Sequence, residues 1–147
     1  MLIEKIHADL KEAMKSGDST KVSTLRMLIS AIKNREIELR SLGKVVDDSE
    51  ILSVIGKQVK QRKESISSFT EAGRTELADK EKAELAVLLS FLPAQLSEEE
   101  VREEVKKVIS SSENREFGVL MKPLMATFKG KADGSIVKRI LEEELKL

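Results

Sequence analysis

Apolar positions recur at the spacing of a helix almost throughout the chain, and the alternation of a strand is nearly absent. Leu2, Ile6, Leu10 and Met14 line a first helix that stops before Gly17. Val22, Leu25, Leu28, Ile29, Ile32 and Leu39 predict a second, longer helix ending before Gly43. Asp47 followed by Glu50 has the pattern of a capping box, in which two side chains satisfy orphan N–H groups at a helix start. It opens a third helix lined by Ile51, Ile55, Val59, Ile66 and Phe69 and closed by Gly73. Leu77, Leu85, Leu88, Leu89 and Leu92 carry a fourth helix up to Pro93.

The pattern breaks at Leu92-Pro93-Ala94-Gln95-Leu96-Ser97, the best candidate for a boundary and hinge. Ser97 and Glu100 form a second capping box, and Val101, Val105, Val108 and Ile109 line a fifth helix that ends in Ser110-Ser111-Ser112. Phe117, Leu120, Met121, Leu124, Met125 and Phe128 make a short sixth. Pro123 fits there only if it kinks the segment or starts its regular part. A tight loop, Gly130 to Ser135, precedes a last helix lined by Ile136, Ile140 and Leu141. The expectation is an all-α protein: an N-terminal bundle of about four helices over 1–92 and a smaller three-helix lobe over 97–147.

Composition narrows the function. At 147 residues the chain has room for one ordinary domain or two small ones. Charged residues make up 35%, against roughly 25% in an average protein. The 26 basic and 26 acidic residues cancel, which argues against steering of the whole molecule onto nucleic acid but not against a local basic patch. Four Phe and no Tyr or Trp leave no aromatic platform for bases. Without cysteine there is no disulfide, thiolate metal site or cysteine nucleophile. No apolar run approaches the roughly 18 residues of a membrane span, and the first residues lack the apolar core of a secretory leader. Cytoplasm is the expected compartment, with no membrane partner.

Catalytic constellations fail one by one. His7 is the only histidine and no Gly-x-Ser-x-Gly elbow exists. Gly130-Lys131 is not a phosphate loop, because the full motif and its preceding strand are missing. Glu98-Glu99-Glu100 and Glu142-Glu143-Glu144 read as solvated helix faces. No catalytic residue, metal ligand or cofactor site is expected in the chain itself.

Some charges sit where apolar residues belong. At about 100° per residue, Arg62 falls about 20° from Ile51, inside the apolar arc of the third helix. Lys57, Lys60 and Lys63 point away from that arc. Glu81 lies inside the arc of the fourth helix and Glu84 at its edge. An antiparallel pair turning near Gly73 sets Arg62 opposite residue 84 and within reach of Glu81. A buried charge without a partner is expensive, so Arg62 with Glu81 or Glu84 is expected as a structural ion pair. Arg26, Lys33 and Arg40 follow the rim of the second helix, and with Lys57, Lys60 and Lys63 they could form a basic face. Lysine and arginine stems covering the core edge are the plainer reading.

The strings Leu25-Arg26-Met27-Leu28-Ile29-Ser30-Ala31-Ile32-Lys33-Asn34, Lys60-Gln61-Arg62-Lys63-Glu64-Ser65, Ala72-Gly73-Arg74 and Leu92-Pro93-Ala94-Gln95-Leu96-Ser97 resemble the YqeY-like family of small bacterial proteins across essentially the whole chain. The last third, from Met121-Lys122 through Gly130-Lys131-Ala132-Asp133-Gly134 to Leu145, is also similar to the helical tail of the B subunit of the glutamine-dependent aspartyl/glutamyl-tRNA amidotransferase. That tail often carries proline where this chain has Gly134. The resemblance implies an all-α, two-lobed fold and a link to tRNA-dependent amidation, a carbon–nitrogen ligase reaction with glutamine as amido donor. The tail is the part thought to hold tRNA, and the catalytic body has no counterpart here.

Three readings follow. The first is a tRNA-binding accessory module without catalysis of its own. The second is a subunit contributing to carbon–nitrogen ligation in a larger amidotransferase. The third is an adaptor between proteins, such as those that charge or amidate tRNA. Nucleic-acid contact is expected at Lys122, Lys129, Lys131, Lys138 and Arg139, around the start of the last helix, where free N–H groups favour phosphate. Asp133 counts against this, because as a cap it competes for the same N–H groups. Arg26, Lys33, Lys57, Lys60 and Lys63 are the secondary basic face.

Overall fold

The computed structural model describes residues 1–146. Among them lie seven α-helices and no strand, so the protein is all-α. They are α1 (Leu2–Ser16), α2 (Ser19–Ser41), α3 (Asp48–Glu71), α4 (Thr75–Leu89), α5 (Glu98–Ser111), α6 (Phe117–Phe128) and α7 (Gly134–Leu145). The chain divides into two compact units, Met1–Leu92 with α1–α4 and Pro93–Leu147 with α5–α7.

Side-chain caps set most helix starts by accepting N–H groups that have no intrahelical partner. Asp18 accepts from the Lys21 N–H at 3.1 Å and Asp47 from the Glu50 N–H at 2.8 Å. Only half of the Asp47 box closes, because the Glu50 carboxylate turns to Arg35 Nε on α2 at 3.2 Å and ties α2 to α3. At Ser97 the hydroxyl accepts from the Glu100 N–H at 3.2 Å and donates to the Glu100 carboxylate at 3.1 Å. The turn between α3 and α4 needs Gly73, whose φ of 71° lies in the left-handed region that costs other residues strain.

In the first unit Ile6, Leu25, Leu28, Ile51, Ile55 and Leu88 are fully buried, with Phe91 closing the cluster. Met14, on the same four-residue step as Leu2 and Ile6, is instead 54% exposed, and Ala13 is buried in its place. Each four-residue step turns the side chain by about 40°, so three steps carry position 14 off the buried face.

The second unit packs three rows: Val101, Val105 and Ile109 from α5, Leu120, Leu124 and Phe128 from α6, and Val137, Ile140 and Leu141 from α7. Helix α6 runs through Pro123. The missing N–H there falls opposite Val119, a residue 47% exposed, so water can serve its carbonyl. Residues 95 and 96 brace the loop after α6. The Gln95 side chain donates to the Gly130 carbonyl at 2.6 Å, and the Leu96 N–H donates to the Lys131 carbonyl at 3.0 Å.

Candidate functional site

Three charged arrangements stand out. The first lies between α3 and α4, where Gly73 turns the chain back on itself. Arg62 Nη1 donates to Glu81 Oε2 at 3.1 Å. Arg62 Nε lies 3.4 Å from Glu84 Oε2 but off the hydrogen-bonding line, so this N–H has no hydrogen-bond partner. Arg62 Nη2 rests 3.8 Å from the sulfur of Met27 on α2. The three side chains are 16%, 16% and 9% exposed. One guanidinium thus lies between two carboxylates in a nearly dry site.

The second arrangement surrounds the start of α7. Lys122, Lys129, Lys131, Lys138 and Arg139 are all exposed. Lys129 and Lys131 flank Gly130, whose φ is 76°, and the bonds from Gln95 and Leu96 hold that loop in place. The helix start itself is occupied: Asp133 Oδ1 accepts from both the N–H and the hydroxyl of Ser135 at 2.9 Å. Arg139 is also committed. Its guanidinium donates to Glu98 at 2.6 Å and to Glu143 at 3.1 Å. Lys122, Lys131 and Lys138 remain exposed around this helix start, and Lys129 is exposed beside Gly130.

The pairing of Arg139 belongs to a network that residue spacing did not reveal. Arg102 donates to Glu143 at 2.5 Å and to Glu144 at 2.6 Å. The offset in sequence is the same for Glu98 with Arg139 as for Arg102 with Glu143, so α5 and α7 run in the same direction side by side. The usable signal was the Glu98–Arg102 pair, four residues apart, mirrored by Arg139 and Glu143. The hydrogen bonds that Arg102 donates to Glu143 and Glu144 push it above the usual arginine range. Those that Arg139 donates to Glu98 and Glu143 do the same to Arg139. The hydrogen bond from Arg102 holds Glu143 below the usual carboxylate range, with Arg139 assisting against partial desolvation.

The third arrangement is the secondary basic set, which does not form one face. Arg26 lines a shallow groove with Met14, Val22 and Met27. Lys33 lines a groove of about 380 Å3 with His7, Arg40 and Lys44 over an aliphatic floor. Lys57 lines a different groove, with Arg35, Glu38 and Gln58. Lys33 and the residues beside Lys57's groove lie on opposite flanks of α2, while Lys60 and Lys63 are exposed further round α3. Among the described residues no group of three or more His, Cys, Asp or Glu gathers as metal ligands, and no helix is long and apolar enough to cross a membrane.

Comparison with known proteins places this geometry in a family. The family model described as Yqey-like protein matches residues 3–145. Relatives include proteins called Altered inheritance of mitochondria protein 41, mitochondrial. The one from Vanderwaltozyma polyspora is 31% identical over 147 residues, covering 94% of this chain and 78% of the relative. The one from Pyrenophora tritici-repentis is 32% identical, covering 97% and 80%. A Saccharomyces cerevisiae relative is 32% identical, covering 88% and 71%. These names overturn the expectation of a cytoplasmic protein, since they point to the mitochondrion. The expectation rested on the residue pattern around Met1–Lys5, and such a pattern does not specify a compartment.

Proposed function

Because the chain belongs to the YqeY-like family, we propose that it acts as a tRNA-binding accessory module linked to tRNA-dependent amidation, with no catalysis of its own. The observation that carries this reading is the braced loop at Gly130. Lysines on either side of it are exposed, and the loop's carbonyls are fixed by Gln95 and Leu96. A loop held still presents its charges at lower entropic cost than a mobile one. Lys122 on α6 and Lys138 on α7 extend the surface. The likeness of this last third to the amidotransferase tail supplies tRNA as the nucleic acid.

The arrangement supports contact with phosphates and offers little for reading bases, so affinity should fall steeply as salt rises. The test is a titration of tRNA against the intact chain at two salt concentrations, beside a Lys129→Ala, Lys131→Ala double variant. The expected result is salt-sensitive binding that weakens in the variant, with the log–log salt slope reduced by about two. Equal binding by both proteins would move the site away from this loop. Absence of binding at low salt would replace the RNA reading with that of an adaptor between proteins.

A further inference from the structure

One groove on the first unit is built differently from a phosphate-binding face. It holds about 380 Å3 and is lined from α1, α2, the segment after α2 and the start of α3. Its floor is aliphatic: Ile29, Ile32 and Ile51 are 9%, 4% and 2% exposed and belong to the core of the bundle. That floor is therefore pre-formed, and the volume falls at the lower end of pockets that take small molecules, roughly 300–1,000 Å3. Val45 on the lip is 84% exposed, an apolar side chain left in water.

The rim has the opposite character. Lys33, Arg40 and Lys44 face the groove with a single carboxylate, Glu36, among the lining residues. Glu36 is already held by Arg40 at 3.3 Å. Among the described residues no carboxylate lies within ion-pair distance of Lys33 or Lys44. The lining contains no Phe, Tyr or Trp, and its one ring is the imidazole of His7 on α1.

We propose that this groove binds a small amphipathic acid, with its apolar tail on the isoleucine floor and its anionic head at Lys33 and Lys44. Aliphatic walls suit an alkyl chain, and two cations without partners at the mouth select the anion over its alcohol or its ammonium counterpart. A ligand of roughly ten non-hydrogen atoms fits this volume. The inference does not depend on tRNA binding, which concerns the other unit.

The experiment is a methyl-resolved NMR titration of the full chain with sodium octanoate, 1-octanol and octyltrimethylammonium. Octanoate should shift the methyls of Ile29, Ile32, Ile51 and Val46 saturably and bind at least about tenfold more tightly than octanol. The ammonium compound should leave them unmoved. In a Lys33→Glu, Lys44→Glu double variant, octanoate affinity should drop by about tenfold while that for octanol stays the same. Both lysines are exposed, so an unchanged thermal midpoint will show that the variant is folded. Equal affinity for octanoate and octanol, or shifts outside these methyls, overturns the proposal. So does displacement of octanoate by tRNA from the same methyls, which would make the rim a nucleic-acid contact.

Discussion

Arg62 in the first unit and Arg102 in the second each face two glutamates, yet the Arg62 side chain is 16% exposed and that of Arg102 is 32%. The carboxylates follow suit: Glu81 and Glu84 are 16% and 9% exposed, Glu143 and Glu144 are 44% and 20%. The pairing chemistry is the same and the solvent differs. In the drier site each charge depends on its partner, because water is no substitute for a lost one. In the wetter site water replaces a partner readily, and the bonds steer two helices into register more than they hold the unit together.

The difference can be broken at its strongest point. Arg62→Ala leaves two carboxylates unpaired in a nearly dry site and should cost about 3–5 kcal/mol. The loss should appear as faster amide exchange in α3 and α4, with α5–α7 little changed. Replacing all three charges, with Arg62→Met, Glu81→Leu and Glu84→Leu together, should restore stability or raise it by about 1–4 kcal/mol above the parent. A triple variant as unstable as Arg62→Ala would show that packing, not charge burial, governs the site.

Gly134→Pro tests whether the second unit is limited by its backbone and not its charges. Gly134 is the first residue of α7, a position where proline is favoured, and Asp133 before it has φ −68° and ψ 129°, as proline requires of its predecessor. A Cβ at 134 would meet the tip of Met125 at 2.8 Å, but that side chain is flexible and 43% exposed, so it can swing aside. The variant should gain about 0.4–1 kcal/mol, read as a higher denaturant midpoint of the α5–α7 signals.

Arg102→Ala should have a smaller effect than Arg62→Ala, and the effect should fade as salt is added. The smallest change expected is with acid. Glu143 takes up a proton less readily in the fold than in the unfolded chain, because Arg102 and then Arg139 hold its carboxylate. Its contribution is complete above the ordinary carboxylate pKa of about 4.3 and is lost as pH falls through the lower folded value. A Glu143→Gln variant should therefore lose less stability between neutral and acid pH than the parent does.

The residues made the helices legible because burial of one face imposes a period on each of them. The same logic put Arg62 and Glu81 inside facing apolar arcs, and in the structure they are 3.1 Å apart. Met14 departs from the buried face because a strict four-residue step drifts around the helix. Glu98-Glu99-Glu100 and Glu142-Glu143-Glu144 read as plain solvated faces, since the pairing of Arg102 and Arg139 depends on α5 and α7 running in the same direction. Only the path through α6 sets that direction. The groove above Ile29, Ile32 and Ile51 was invisible for a related reason: its walls come from four separate segments, and no single stretch carries the pattern. The compartment was not legible at all, since a location signal is read by other machinery and leaves no trace in core packing.

The hydrogen bonds from Gln95 and Leu96 settle where the second unit begins. The stretch Pro93–Leu96 lies between two helices, has no helical pattern of its own and looks dispensable. Yet Leu96 packs against the core of α5–α7, and its N–H together with the Gln95 amide serves the carbonyls of Lys131 and Gly130. This stretch is therefore the first wall of the unit. A gene fragment begun at Ser97 would encode the three helices with one side of their core uncovered and the loop at Gly130 untethered. One begun at Pro93 would carry its own wall, making Pro93 the natural point at which to separate this half for use in another protein.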